Sequence, residues 1–324
     1  MSFIEKIKSP IRDEMQEFDK VYNAVLDSDN PLLNDVHNYI LESNGKKLRP
    51  ILAILAAKLL REVNTETLYG AFALELLHTA SLVHDDVIDD TLERRGRESV
   101  NARWNNKVAV LTGDYLLSKA SYCAYTTKNV DIIAAISQVA LTLTDGELLQ
   151  LSVDKMSDID EELYYNIIQR KTAELFATCM EVGALSVGAS DEELNRLKNF
   201  GNALGICFQI KDDVFDYYEN ADIGKPTGND VRDGKLTLPL IYALRTSQSE
   251  ERDEIVCLLD KKDFSQENIQ RIMQFAHDEG GLEYAKSEMD RYNQIALDEL
   301  KDFPDSDVKQ ALIRCVDFVS SRSF

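Results

Sequence analysis

The stretch LELLHTASLVHDDVID, residues 74–89, carries apolar side chains at helical spacing and ends in a run of aspartates. On a helix, residues four apart lie on one face, so Asp85 and Asp89 should point the same way. Carboxylates beside an apolar run repel one another and lose hydration, and a cation is needed to neutralise them. The pattern predicts one long helix from Thr65 to Asp90 that ends in this acidic motif.

A second copy of the motif, DDVFD, occupies residues 212–216 and again follows an apolar stretch. A single acidic run is commonly a solvated helix face, but two copies on helical patterns favour a metal site between helices. Oxygen ligands with few accompanying His or Cys suit Mg²⁺, which completes its coordination shell with water and substrate phosphate. Neither copy has the spacing of a calcium-binding loop.

The composition restricts the function classes. The chain has 324 residues, is 44% hydrophobic and carries a net charge of −21, which indicates a globular protein and argues against nucleic-acid binding. No uncharged apolar run is long enough for a transmembrane helix, and the N-terminus lacks a signal-peptide pattern, so we expect a cytoplasmic protein. The five cysteines have no metal-type spacing and are expected to be reduced and buried.

The fold class follows from helix formers and helix breakers. No proline lies between Ile51 and Lys225, an interval rich in Ala, Leu, Glu and Lys. We see no alternating strand pattern, and predict an all-α chain of about a dozen helices in a single domain, residues 1–324. Helix starts are predicted at Ser9–Pro10, Asn30–Pro31 and Ser190, and a loop over residues 220–237.

Clustered basic residues stand out against the acidic background. They are GKKLRP at residues 45–50, the pair Arg94–Arg95, Lys171–Thr172, Lys225 and Lys235, with His78 one helical repeat before Asp85. Each alone is most simply a basic turn, a salt bridge or a structural histidine. Beside Mg²⁺ they are typical of a diphosphate clamp, because arginine makes bidentate phosphate contacts and lysine supplies a point charge. The absence of a P-loop argues against a nucleotide.

The chain resembles the trans-polyprenyl diphosphate synthases over nearly its whole length. The matching segments, in the family's order and spacing, are GKKLRP (45–50), LLHTASLVHDDVIDDTLERRG (76–96), GDYLL (113–117), GELLQ (146–150), RKTAELF (170–176), FQIKDDVFDY (208–217) and GKPTGNDVRDGKLTLP (224–239). The resemblance implies an all-α isoprenoid synthase-type bundle around a deep central cavity. It also implies a homodimer and three Mg²⁺ ions per active site.

The resemblance also implies residue roles. The expected metal ligands are Asp85, Asp89, Asp212 and Asp216, with Asp86 in support. The isopentenyl diphosphate ligands would be Gly45, Lys46, Arg49, His78 and Arg95, and the allylic diphosphate ligands Arg94, Lys171, Thr172, Gln209, Lys225 and Lys235. Among these, Asp85, Asp89, Asp212, Lys171 and Arg94 are the expected catalytic residues.

The implied reaction begins when cations draw charge onto the allylic diphosphate, so that its C–O bond ionises. The double bond of isopentenyl diphosphate attacks the carbocation, a proton is lost to the released diphosphate, and apolar walls exclude water. The product is a trans allylic diphosphate that is five carbons longer and can react again. Farnesyl diphosphate is the expected primer.

Product length depends on the residues below the first acidic motif. Short-chain relatives commonly carry an aromatic residue there, whereas this chain has Ala80 and Ser81, with Leu77 deeper. A helix of this length runs beside about seven isoprene units, one per turn, which predicts a product of about C35 to C40, octaprenyl above all, for quinone side chains. The alternative is a purely structural role, in which the small side chains of Ala80 and Ser81 only permit close helix packing.

Other activities remain compatible with the sequence. They are a shorter-chain geranylgeranyl or farnesyl diphosphate synthase, the catalytic subunit of a heteromeric heptaprenyl synthase, a terpene cyclase, and a non-catalytic binding subunit. The second acidic motif and the GKKLRP segment argue against a cyclase, and the retained aspartates argue against a non-catalytic subunit.

Overall fold

The computed structural model describes residues 3–42, 45–153, 158, 160–218 and 228–320, and this part of the chain is almost entirely α-helical. The predicted all-α class is confirmed, with seventeen α-helical segments among the described residues, two of them single turns. The predicted loop over residues 220–237 lies partly outside the described residues, and its described part contains one of these single turns.

The helices follow one another along the chain with short connections. They are α1 (Phe3–Lys8), α2 (Arg12–Leu26), α3 (Pro31–Glu42), α4 (Leu48–Leu60), α5 (Thr65–Ile88), α6 (Val100–Arg103), α7 (Asn106–Thr126), α8 (Val130–Leu151), α9 (Glu161–Ile168), α10 (Glu174–Ser186), α11 (Asp191–Phe215), α12 (Asn229–Arg232), α13 (Leu238–Thr246), α14 (Glu250–Asp260), α15 (Gln266–Asp278), α16 (Gly281–Glu299) and α17 (Asp307–Ser320). A 3₁₀ turn covers Ser9–Ile11, a π-helical turn covers Gln169–Ala173, and two short strands, β1 (Glu93–Arg94) and β2 (Arg97–Glu98), pair as a hairpin.

The predicted helix starts can now be compared with the structure. The side chain of Asn30 accepts hydrogen bonds from the main-chain N–H groups of Leu32 and Leu33 and caps α3, as predicted. Ser190 and Glu193 form a reciprocal capping box at the start of α11. The prediction at Ser9–Pro10 was wrong in type, because these residues open a 3₁₀ turn and the α-helix begins after it.

The residues group into two compact units. The first comprises Met1–Ala140, Thr178–Lys198 and Asp302–Arg314, and the second Leu141–Ala177, Asn199–Lys301 and Cys315–Phe324. In the first unit, α5 packs along α7, where a Cβ on Gly113 would lie 2.2 Å from the His84 ring. In the second unit, α13 packs on α15 and α16, and the Phe176 and Phe208 rings lie 5.2 Å apart.

Hydrogen bonds within the first unit fix the start of helix α5. The Asn64 side chain accepts from the N–H of Thr67, and the Thr67 hydroxyl accepts from the N–H of Asn64, which is a capping box. The Asn64 amide also donates to the carbonyl of Ser186 at 2.7 Å. The start at Thr65 is therefore as predicted, and α5 ends at Ile88, within two residues of the predicted end.

All five cysteines are free, and four are buried as predicted, but Cys257 is exposed. Among the described residues one helix, α8, is long and apolar enough to cross a membrane by length and composition alone, and 22% of its most apolar stretch is buried. The sequence had not singled out this helix.

Candidate active site

The first acidic motif lies at the C-terminal end of α5. The helix ends at Ile88, and Asp89 is the first residue beyond it, with its N–H donating to the carbonyl of Asp85 at 2.8 Å. The helix dipole is negative at this end, so it disfavours the carboxylates of Asp85 and Asp89. These side chains therefore need positive charge from outside the helix.

Asp86 differs from its two neighbours in the motif. It is 3% exposed, and its Oδ1 accepts a charged hydrogen bond from Arg94 Nε at 2.7 Å. Burial raises the pKa of the Asp86 carboxyl, although the Arg94 guanidinium opposes this. The carbonyls of Asp86 and Thr91 both accept from the buried Asn101 amide, at 3.0 and 3.1 Å. These contacts fix the turn that follows α5 and hold Arg94 beside it.

The two adjacent arginines are separated by the hairpin. Arg94 pairs with Arg97 across the strands, whereas Arg95 and Gly96 form the turn with φ of 55° and 74°. Positive φ at both central residues is the type I′ turn that suits a tight hairpin. The Arg95 guanidinium lies against Gly45, where a Cβ would be only 2.8 Å from Nη1. Only glycine fits at position 45 without moving this arginine.

A cleft that is partly open to solvent lies between the hairpin and α5 in the first unit. Its lining includes Gly45, Glu75, His78, Asp86, Arg94 and Arg95. The structure thus brings together three of the residues predicted to hold isopentenyl diphosphate, namely Gly45, His78 and Arg95. Lys46 is exposed beside Gly45, and Arg49 lies at the start of α4.

Burial, together with nearby charges, determines the protonation state of His78 and Glu75 in this cleft. Burial, and then the guanidinium groups of Arg49, Arg95 and Arg94, hold the pKa of His78 well below its usual value. His78 is therefore neutral at physiological pH and can both donate and accept a hydrogen bond. Burial raises the pKa of the Glu75 carboxyl, while Arg49 is the largest opposing influence.

The lowered pKa of His78 predicts a pH-dependent stability. Below pH ~6.5 the unfolded chain protonates this histidine while the folded chain does not, so the free energy of unfolding should decrease as the pH falls. The slope from one such group rises from about half of 1.4 kcal/mol per pH unit at pH ~6.5 toward about 1.4 roughly one unit lower. Urea unfolding of wild type and His78→Gln at several pH values just below 6.5 measures it. An equal slope in both proteins would contradict the prediction.

The second acidic motif repeats the helix-end geometry in the second unit. Helix α11 ends at Phe215, with Asp212 in its last turn and Asp216 immediately after it. The Asp216 carboxylate accepts from the N–H of Asn229 at 3.1 Å and from the N–H of Asp230 at 2.9 Å. Asp216 therefore caps the single turn α12 and fixes the segment that leads to Lys235.

Asp213 is buried, unlike the other two aspartates of the motif, and both its oxygens have hydrogen-bond partners. The Tyr164 hydroxyl donates to Oδ2 at 2.6 Å, and Gln209 Nε2 donates to Oδ1 at 2.8 Å. Gln209 in turn accepts from the Thr172 hydroxyl at 2.7 Å. Burial, and then the nearby Asp230, raise the pKa of Asp213 to about 8.

Lys171 and Thr172 lie on the π-helical turn between α9 and α10. Such turns are rare in proteins and frequently mark functional sites. The Lys171 ammonium pairs with Glu147 at 2.7 Å and donates to Gln150. The structure thus brings Lys171, Thr172 and Gln209 together in the second unit. Lys235 lies 3.7 Å from Asp233, and the predicted ligand Lys225 is outside the described residues.

Across the described ranges, no group of three or more His, Cys, Asp or Glu side chains could hold a metal ion by itself. The aspartates at each of the two helix ends nevertheless supply hard oxygen donors, which suit Mg²⁺ bound jointly by protein, water and phosphate. Sequence reasoning missed Glu75 and Tyr164. The signal for Glu75 was its spacing of three residues before His78, which puts both on one face of α5.

Comparison with known proteins finds relatives over nearly the whole chain. The sequence profile of the Polyprenyl synthetase family matches residues 30–276. The chain is 35% identical to the all-trans-nonaprenyl-diphosphate synthase (geranyl-diphosphate specific) of Rhodobacter capsulatus, over 97% of this chain and 96% of that protein.

Two solved structures illustrate the likeness in fold. One is a polyprenyl synthase from Caulobacter crescentus CB15 complexed with calcium and isoprenyl diphosphate, with a TM-score of 0.92, 30% identity and 98% of each chain covered. The other is a geranylgeranyl pyrophosphate synthase from Bacteroides thetaiotaomicron, with a TM-score of 0.85, 42% identity and all of both chains covered. The chain therefore belongs to the polyprenyl synthetase family, and it is a prenyltransferase of the all-α isoprenoid synthase fold.

Proposed function

We propose that this prenyltransferase lengthens an allylic diphosphate, farnesyl diphosphate in the first instance, by successive trans condensations with isopentenyl diphosphate. The observation that carries the proposal is the cleft in the first unit, where a neutral His78 lies among arginines beside the first acidic motif. Such a cleft suits a diphosphate that is bound without being cleaved, because guanidinium groups supply strong phosphate contacts.

The test of this function is an assay of the purified chain alone with farnesyl and isopentenyl diphosphates and Mg²⁺. We expect an all-trans polyprenyl diphosphate longer than either substrate, which is identified by chromatography after dephosphorylation. No condensation by the chain alone would contradict a homomeric synthase, and a cyclic hydrocarbon product would indicate a terpene cyclase.

Mg²⁺ is the cofactor that fits the acidic motifs, with Asp85, Asp89, Asp212 and Asp216 as its proposed ligands. When bound, Mg²⁺ neutralises the negative charge that develops on the leaving diphosphate. The crystallised Caulobacter relative contains calcium and isoprenyl diphosphate, which supports a divalent cation. The number of three ions per site is a prediction from the family resemblance. A direct contact of Asp86 with a metal ion is also a prediction, and the Asp86 carboxylate already pairs with Arg94.

Different residues of this chain bind the two substrates in the proposed reaction. We assign isopentenyl diphosphate to Gly45, Lys46, Arg49, His78 and Arg95, and the allylic diphosphate to Arg94, Lys171, Thr172, Gln209, Lys225 and Lys235. Cationic side chains hold each diphosphate at a fixed place, so the reacting carbons meet in one orientation. Apolar side chains that line the cleft, such as Leu82 and Val83 of α5, would exclude water that quenches a carbocation.

Removing a ligand of the diphosphate that does not leave should mainly weaken binding. We expect Lys46→Ala, Arg49→Ala and His78→Ala to raise KM for isopentenyl diphosphate by about tenfold or more, as a lost charge-assisted hydrogen bond would. KM for farnesyl diphosphate should change little. Steady-state kinetics with each substrate varied in turn measures both.

A matched control for these variants is Lys58→Ala on α4, because Lys58 pairs with Glu14 away from the cleft. This variant should keep both KM values. A rise confined to KM for the allylic primer in the cleft variants would show that the two subsites are assigned the wrong way round.

We further propose a long product, with octaprenyl as the most specific prediction and quinone side chains as its destination. The nonaprenyl-forming relative from Rhodobacter capsulatus supports a long product. The second candidate is a geranylgeranyl diphosphate synthase, which the more similar Bacteroides protein favours. The small side chains of Ala80 and Ser81 argue for the long product, because neither carries the aromatic ring that short-chain relatives commonly have at this place.

The remaining proposals concern assembly and location. Large apolar side chains are exposed on α7, at Leu111, Tyr122 and Tyr125, and on α8, at Leu141 and Leu148. Exposed apolar area of this kind marks an interaction surface, and we propose that a second copy of the chain covers it in a homodimer.

We also propose that residues 1–324 form one domain, that the protein is cytoplasmic without a transmembrane segment, and that it has no nucleic-acid partner. Whether the chain needs a different subunit, as in a heteromeric heptaprenyl synthase, is tested by the assay of the chain alone.

A further inference from the structure

A continuous run of side-chain hydrogen bonds connects Tyr164 on α9 with Thr172 on the π-helical turn. The Tyr164 hydroxyl and the Gln209 amide both donate to Asp213, at 2.6 and 2.8 Å. The Thr172 hydroxyl donates to the Gln209 amide oxygen at 2.7 Å. Gln209 and Asp213 lie one turn apart on α11, so a single helix face presents both.

Asp213 determines which way the Gln209 amide points. Its Oδ1 accepts from the Gln209 amide nitrogen, while its Oδ2 accepts from the Tyr164 hydroxyl. The amide nitrogen of Gln209 is therefore directed at Asp213, and the amide oxygen is directed at Thr172. With this orientation fixed, the Gln209 amide keeps one N–H for another acceptor.

The π-helical turn depends on such support. An isolated π turn is unfavourable compared with an α-helix, and it persists where tertiary contacts hold it. The contact of Thr172 with Gln209 is one of several polar supports of this turn. The others include the contacts of Lys171 with Glu147 and Gln150, of Gln169 with Asn202, and of Arg170 with Asp145. Tyr164 and Asp213 are 3% and 5% exposed, so they support the turn without reaching a substrate.

We propose that Tyr164 and Asp213 are positioning residues for the allylic diphosphate, which act by orienting Gln209 and Thr172. The inference rests on the proposed assignment of Lys171, Thr172 and Gln209 to that diphosphate. It explains why the second aspartate of this motif is buried and hydrogen-bonded through both oxygens. In this role Asp213 is not a metal ligand.

The test compares two neighbouring tyrosines. Tyr165 also donates its hydroxyl to a carboxylate, Glu288 at 2.8 Å, but that bond does not lead to Gln209. Tyr164→Phe and Tyr165→Phe therefore remove similar hydrogen bonds with different connections. We expect Tyr164→Phe to lower kcat/KM for farnesyl diphosphate about tenfold, with KM for isopentenyl diphosphate within about twofold of wild type. Tyr165→Phe should change neither value by more than about twofold.

A second variant keeps the inference testable if Tyr164→Phe fails to fold by circular dichroism. Asp213→Asn keeps the side-chain shape, but its new N–H groups face either Tyr164 or Gln209, which both donate to Asp213 in wild type. This variant should give the same selective loss. Calorimetric binding of farnesyl diphosphate without isopentenyl diphosphate reports the subsite directly. Equal effects of the two tyrosine variants, a matching loss for isopentenyl diphosphate, or wild-type behaviour of Asp213→Asn would overturn the inference. Absence of prenyl transfer in wild type would instead defeat the proposed function.

Discussion

Replacing Asp85 or Asp212 by alanine is expected to reduce turnover about a thousandfold while leaving the chain folded. Each carboxylate lies in the last turn of a long helix, α5 or α11, next to further aspartates. Loss of about 4 kcal/mol of charge stabilisation at the leaving diphosphate corresponds to that factor. Single-turnover measurements with excess enzyme and saturating Mg²⁺ separate this chemical defect from slow product release.

The same substitutions should not destabilise the protein. Without a cation, a carboxylate at a helix C-terminus is repelled by the helix dipole and by its neighbours, so its removal should keep or raise the unfolding temperature. Asp90→Asn is a matched control, because Asp90 is exposed at φ 49° just after the motif and asparagine tolerates that conformation. Turnover within a few-fold of wild type in Asp85→Ala or Asp212→Ala would contradict the assignment of these residues to the metal.

The long helices of the two motifs could be predicted because local signals and tertiary structure agree. Helix α5 has a capping residue, Asn64, an uninterrupted apolar pattern and no proline or glycine near its end. Helix α11 begins at the Ser190 capping box and ends beside Asp216. For such segments the sequence period and the caps determine the boundaries to within one or two residues.

The hairpin and the π-helical turn could not be predicted in the same way. Residues 93–98, ERRGRE, are polar throughout, so no alternating pattern indicates strands. The backbone at Arg95 and Gly96 decides that structure, and only the glycine at the second turn position gave a signal. The π turn depends on contacts between residues far apart in sequence, such as Thr172 with Gln209.

Burial within the motifs was likewise not visible in the sequence. The pattern DDVxD treats its first two aspartates alike, yet Asp86 and Asp213 are buried against Arg94 and against Tyr164 with Gln209. Asp85 and Asp212 are less buried. Which of two adjacent carboxylates faces the interior depends on the donors that neighbouring segments supply, and a desolvated carboxylate is tolerated only where such donors exist.

Enlarging the side chains one turn below the first motif is expected to shorten the product. Ser81 is four residues before Asp85 and partly exposed, and its hydroxyl donates to the carbonyl of His78 at 2.9 Å. Ser81→Phe should place a ring on the face of α5 that carries Asp85, and cut a long product to about C15 or C20. The first condensation should proceed at a similar rate, because the ring lies beyond the reacting carbons.

Ala80→Phe should act in the same direction, but with a cost in stability. Ala80 is fully buried, and overpacking a tight core typically costs about 1–3 kcal/mol, so Ser81→Phe is the cleaner variant. Ser81→Ala is the matched control, since it removes the hydroxyl without adding bulk and should keep the product length. Chromatography of the dephosphorylated products measures all four proteins.

The outcome separates the two candidate functions. Helix α5 extends for 24 residues, about 36 Å at about 1.5 Å per residue, which is long enough for a chain of about seven isoprene units. If that length is used, wild type makes a product of about C35 to C40, and the phenylalanine variants differ sharply from it. If wild type already stops at C20, as the name of the Bacteroides relative would suggest, another side chain closes the path and Ser81 is not the limiting position. An unchanged product length in both phenylalanine variants would contradict the open path below Asp85, because an aromatic ring at either position could then be passed.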